Sequence, residues 1–210
     1  MIFCSQSSSV VPPDVEDLIS LLVCRACEEA YPRSACLGSQ EIQNTCLQNI
    51  LEEEELFSHC TLWPFDCDDY YGSKLYEKDG TVYDGSNMPV KPYPHSETVL
   101  RRIKEEPGVK LGVASMTSSP RVGHKLIKLF GWDKYFDYVE IYPVSKTKHF
   151  KTLAQKSGLP FDQMLFFDDL SFNIREVGNL GVHSVLVRNG VDLTLLRLAL
   201  EEFASISPGA

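Results

Sequence analysis

Beyond residue 95 the chain alternates between helix-period stripes and short apolar runs. Ser96 to Glu106 spaces Val99, Leu100 and Ile103 along one helical face, and Pro107-Gly108 ends it. Lys110-Leu111-Gly112-Val113-Ala114 then reads as a short buried strand. Ser119-Pro120 opens the next helix, serine as N-cap and proline at the first helical position, and Gly131 follows its end at Phe130. The alternation continues with a strand at 138–142, a helix at 145–157 closed by Gly158, and a strand at 164–167. A helix at 171–180, a strand at 183–187 and a helix at 193–204 complete it. Short apolar strands between amphipathic helices predict an α/β fold, a doubly wound parallel sheet covered on both faces.

The first 60 residues have a different character. Asp14 can cap a helix reaching about Ala30, with Leu18, Leu21, Leu22 and Val23 as its stripe, and Tyr31-Pro32 stops it. A second helix over 39–55 carries Ile42, Leu47, Ile50 and Leu51 and ends in four glutamates whose like charges repel. Residues 1–60 hold 10 acidic side chains against 2 basic, whereas 61–210 hold 19 against 18. Six of the seven cysteines also fall in the first part. We therefore divide the chain into an acidic, cysteine-rich segment over 1–59, helical or partly disordered, a domain over 60–205 and a tail over 206–210. Cys24 and Cys27 have zinc-knuckle spacing, but inside a predicted helix and without turn residues. Nothing points to an oxidising compartment, so free thiols are expected.

Composition narrows the function classes. A net charge of −9 argues against binding to the phosphate backbone of nucleic acid. No apolar run approaches the roughly 18 residues that span a bilayer, and Met1-Ile2-Phe3-Cys4 lacks the basic start of a secretory signal. The expectation is a soluble, cytoplasmic protein with neither nucleic acid nor membrane as partner.

In a doubly wound sheet, ligands bind at the carboxyl ends of the strands. Three predicted strands end there in useful chemistry. The strand closing on Val113-Ala114 is followed by Ser115-Met116-Thr117, two hydroxyls and free backbone N–H groups at a strand-to-helix turn. The 138–142 strand leads to Ser145-Lys146, an ammonium at a helix start. The 164–167 strand runs into Asp168-Asp169. Singly, Ser115 can cap a turn, Lys146 can be a solvated first-turn residue, and either acid can cap the next helix. Two adjacent acids repel without a cation, and hydroxyl, ammonium and paired carboxylates on one edge suit a divalent metal and a phosphate.

Several strings carry a resemblance to a known family. Thr61-Leu62-Trp63-Pro64-Phe65, Val113-Ala114-Ser115, Glu140-Ile141-Tyr142-Pro143 with Ser145-Lys146, and His149-Phe150 are among them. So are Gly158-Leu159-Pro160-Phe161 and Leu165-Phe166-Phe167-Asp168-Asp169 with Asn173-Ile174. Over residues 60–205 the chain resembles the magnesium-dependent phosphatase branch of the haloacid dehalogenase superfamily. The resemblance implies a Rossmann-like sheet with a minimal cap and hydrolysis of phosphate monoesters through an aspartyl-phosphate. It implies Ser115 and Lys146 as catalytic and substrate-binding groups, and Thr117 and Asn173 as further substrate contacts, Asn173 in support of the fourth motif. Asp168 and Asp169 would hold Mg²⁺. The implied partner is a small phosphorylated substrate or a phosphoprotein.

One part of the family pattern is missing. Its first motif, D-x-D-x-T-L-W-P, aligned on Thr61, places the nucleophile at Phe57 and the acid/base at His59. Phenylalanine cannot attack phosphorus. Imidazole can transfer protons, so His59 stays a candidate at its position. Met116 stands where the branch usually has arginine. Asp66-Cys67-Asp68 mimics D-x-D but follows no apolar strand, so its acids are expected on a loop or flap. The lost motif coincides with the break in composition, as one exchange of the first segment would produce. Impaired turnover and weakened Mg²⁺ binding are expected, with a catalytically inactive ligand-binding module as the alternative.

Overall fold

The computed structural model describes residues 2–5, as backbone, and 60–206. The helices expected over 14–30 and 39–55, the Cys24–Cys27 pair, Phe57 and His59 lie outside the described residues.

The main sheet has five strands. They are β1 (Ile2–Ser5), β5 (Lys110–Ser115), β6 (Tyr138–Ile141), β7 (Leu165–Asp168) and β8 (His183–Leu186), in spatial order β6-β5-β1-β7-β8. Five helices are described: α1 (Ser96–Glu105), α2 (Pro120–Leu129), α3 (Lys146–Ser157), α4 (Ser171–Gly178) and α5 (Leu193–Ile206). Each helix and each strand from β5 to β8 falls within a few residues of its expected position. The fold is α/β.

Alternation along the strands explains burial on both faces. Leu111 and Val113 of β5, with Leu165 and Phe167 of β7, pack into one core with Val99, Leu100 and Ile103 of α1 and Leu196 and Phe203 of α5. Ala114 and Phe166 face the other way, into a core with Phe150 and Leu153 of α3 and Val177 of α4. Period-two burial in the strands and period-3.6 burial in the helices thus meet in two cores.

The centre of the sheet departs from expectation. Pairs β5–β6 and β7–β8 are parallel, but β1 runs antiparallel to both its neighbours, with Phe3 opposite Gly112 on one side and Phe166 on the other. A strand drawn from the first segment therefore lies in the sheet of the domain assigned to 60–205. Ile2-Phe3-Cys4 is too short an apolar run to announce a strand, and two flanking ladders of hydrogen bonds compensate for its length. Its start, Ile2, pairs with Phe167 and so lies at the carboxyl edge of β7.

A small second sheet also escaped the sequence reading. Strands β2 (Tyr76–Lys78), β3 (Thr81–Tyr83) and β4 (Pro89–Val90) form an antiparallel meander. Asp79 and Gly80 both have positive φ, 52° and 76°, as the two-residue hairpin turn between β2 and β3 requires. Val82 and Val90 pack it onto Leu126 of α2, together with Cys67 of a 3-10 turn, Cys67–Tyr70.

The central position of β1 gives a direct prediction. Proline at position 3 deletes an N–H facing one of two ladders in the middle of the sheet. Phe3→Pro is expected to cost about 3 kcal/mol or more, read as a lowered urea midpoint by circular dichroism.

Candidate active site

The carboxyl edge of the sheet forms a cavity of about 250 Å³, below the ~300 Å³ at which drug-sized pockets begin. That volume holds a phosphate group with room for part of the group it esterifies. Its walls include Ser115, Met116, Thr117, Lys146, Asp168, Asp169 and Asn173, so the described residues expected to bind substrate or metal line one cavity. Strand β5 delivers Ser115, the start of α3 delivers Lys146, and the β7–α4 junction delivers the two acids.

Asp168 is the most engaged member. Its side chain is buried, Oδ1 accepts from the Asn173 amide at 2.7 Å and from the Leu170 N–H at 3.0 Å, and Oδ2 faces Lys146 Nζ at 3.6 Å. Asn173 therefore acts on the pocket by fixing Asp168, while its own buried Oδ1 has no hydrogen-bond partner among the described residues. Lys146, also buried, donates to the Ala114 carbonyl at 2.9 Å. Burial lowers the pKa of its ammonium, with Asp168 and Asp169 pulling the other way.

Asp169 lies under the influence of its neighbour. Burial, and then the charge of Asp168, raise its pKa. Thr61, buried, donates its hydroxyl to Asp169 Oδ1 at 3.0 Å. Two carboxylates in one partly desolvated pocket form a hard-oxygen donor pair, the kind Mg²⁺ takes while keeping most of its waters. Among the described residues no group of three or more His, Cys, Asp or Glu side chains could hold a metal. Asp168 and Asp169 are the two carboxylates of this cavity's sheet edge that could face a cation together.

Thr117 differs from expectation. Its hydroxyl donates to Asp68 Oδ1 at 3.0 Å and accepts from the Ser119 N–H at 3.0 Å, so it is committed within the protein. Met116, partly exposed, adds an apolar side chain to the rim. Opposite lie Trp63 and Phe65, stacked at 5.6 Å, and the turn bearing Asp66, Cys67 and Asp68. Those acids therefore belong to a flap wall. Hydrogen bonds, foremost from the Ser119 hydroxyl, hold Asp68 below the usual carboxylate range. Burial pushes the Cys67 thiol up to about 12, so it stays protonated and unreactive. Sequence reasoning missed the roles of Thr61 and Asp68; the T-L-W-P string marked the first as notable but assigned it no partner.

A doubly wound sheet with paired acids, a buried ammonium and a hydroxyl loop at its carboxyl edge is phosphoryl-transfer architecture. Comparison with known proteins agrees. The family model described as Acid Phosphatase matches residues 59–206. Over 150 residues the chain is 42% identical to Magnesium-dependent phosphatase 1 of Homo sapiens, covering 71% of this chain and 85% of that protein. It is 32% identical over 134 residues to a HAD-like hydrolase superfamily protein of Schizosaccharomyces pombe, covering 58% of this chain and 77% of that one. The chain belongs to the magnesium-dependent phosphatase branch of the haloacid dehalogenase superfamily.

His149 lies beneath Lys146. It is fully buried, its Nε2 meets the Tyr142 carbonyl at 3.1 Å, and burial, then the charge of Lys146, push its pKa from 6.5 to about 4. The folded chain then binds fewer protons here than the unfolded chain does between those values. This contribution to stability is complete above about pH 6.5 and is lost as pH falls toward about 4. Urea midpoints are expected to fall across that window, and less steeply in His149→Leu.

Proposed function

We propose that this chain binds a phosphate monoester in the cavity at the carboxyl edge and hydrolyses it feebly. One observation carries the reading: the phosphate-side groups converge beside a central strand, Ile2-Phe3-Cys4-Ser5, that contains no carboxylate. The Ser115 hydroxyl and the loop N–H groups after it face the phosphoryl oxygens. Lys146 offsets their charge in a setting where burial strengthens the attraction. Asn173 and Thr61 hold the two acids in place, and Asp168 and Asp169 would hold Mg²⁺. When bound, Mg²⁺ supplies positive charge for the transferring group.

The chain lacks the usual attacking group. The positions of the family's nucleophile and acid/base are Phe57 and His59. Losing a covalent nucleophile typically costs about 10⁴ to 10⁶ in turnover. That loss supports a second reading, a phospho-ligand module without turnover. The ligand in either case is a small phosphorylated molecule or a phosphoprotein, with sugar phosphates, phosphorylated glycated amines and phosphotyrosine-like esters as the candidates. A negative net charge speaks against nucleic acid. A cytoplasmic setting, away from membranes, belongs to the same proposal, supported by the free thiol of buried Cys67. Among the described residues no helix is long and apolar enough to cross a membrane.

Two measurements test this. With p-nitrophenyl phosphate and Mg²⁺, turnover is expected about 10⁴-fold or more below that of a relative retaining both aspartates; comparable turnover overturns the impairment. Millimolar Mg²⁺ is expected to raise Tm by a few degrees by binding the folded state. Asp168→Asn is expected to abolish that rise, and a rise that survives it moves the metal elsewhere.

A further inference from the structure

The loop between β5 and α2 must present its N–H groups in a fixed arrangement, and its ends are well anchored. Ser115 lies in the ladder opposite Ile141, and buried Ser119 precedes the proline that starts α2. Its middle has little of its own to hold it: Met116 and Ser118 are exposed. Among the described residues, the hydrogen bonds that pin this middle run through Asp68 and Thr117. Asp68 Oδ1 accepts from the Thr117 hydroxyl at 3.0 Å and Oδ2 from the Ser118 N–H at 3.3 Å, across about 50 positions of sequence. Thr117 in turn accepts from the Ser119 N–H at 3.0 Å. The turn bearing Asp68 is itself fixed, because Cys67 is buried against α2, with Sγ 3.7 Å from where a Cβ on Gly123 would sit.

We propose that Asp68 is a positioning residue, a latch from the flap that sets the 115–119 loop for oxyanion binding. The inference rests on the reading of the cavity as a phosphate site. Asp68 also lines that cavity, and its negative charge repels an anion. Latch and repulsion therefore predict opposite effects of its removal. A carboxylate that repels the ligand yet is locked by a hydroxyl and an N–H is explained by preorganisation: the loop's shape is fixed before the ligand arrives.

The test is calorimetric titration of the full chain with inorganic phosphate in the presence of Mg²⁺. Asp68→Ala is expected to weaken binding about tenfold and Thr117→Val by less, because Asp68 also takes the Ser118 N–H and the Ser119 hydroxyl, and the double variant is expected to be no weaker than Asp68→Ala. Asp68→Asn, which keeps an acceptor for Thr117 but turns an amide NH2 toward the Ser118 N–H, is expected to bind more weakly than wild type and more tightly than Asp68→Ala. Faster amide exchange at Ser118 and Ser119, with protection in β5 and β7 unchanged, is expected to show that the loss is local. Asp68→Ala binding phosphate as tightly as wild type, or more tightly, overturns the latch and leaves the cavity reading standing. Additive single losses overturn it too. No uptake by wild type overturns the cavity reading and, with it, the role given to the latch.

Discussion

Backbone pairing at the middle of the sheet is the constraint on which everything else rests. Without β1, the strands of this domain would be two separate parallel pairs, β6–β5 and β7–β8. The facing edges of β5 and β7 would leave buried N–H and C=O groups unsatisfied at about 1–3 kcal/mol each. Hydrogen bonding is indifferent to the origin of a strand and tolerant of its direction. Four residues from the far end of the sequence, inserted antiparallel, satisfy both edges. The spacing of β5 and β7 that results also sets the distance between the Ser115 loop and Asp168.

The same substitution explains the division in the chemistry. Everything the family needs on β5, α3 and β7 converges: a hydroxyl loop, a buried ammonium and two acids held by Asn173 and Thr61. Among the described residues, the strand at the centre of the sheet is Ile2-Phe3-Cys4-Ser5, which carries no carboxylate. Burial raises the pKa of Asp169 and lowers that of Lys146, so each charge here is held against a desolvation cost.

Sequence reading recovers the parts whose signals are local. Val99, Leu100 and Ile103 at helical spacing, Ser119-Pro120 as a helix start and Leu165-Phe166-Phe167 before two acids each identify an element and its place. The carboxyl-edge rule then brings Ser115, Lys146 and Asp168 together without coordinates. Three features were not legible for physical reasons. Strand β1 is defined by its partners, since four residues carry too little periodicity. The flap sheet has short strands exposed on one face, and its clearest mark, Asp79-Gly80, is a turn signal easily taken for a loop. The hydrogen bonds of Thr61 to Asp169 and of Asp68 to the 117–118 loop span 108 and about 50 residues, distances over which a single sequence holds no pattern.

Trp63 links two regions that are otherwise discussed apart. It lines the cavity, and its ring stacks on Phe65 on the flap side and, at 5.9 Å and 13°, on Trp132, which is fully buried in the larger core. These are the chain's two tryptophans. Their indoles are close enough to exchange excitation, so tryptophan emission is expected to report on the cavity wall and the domain interior together. A change in emission on adding a ligand registers both places at once, so an optical titration of this protein is also a report on its core.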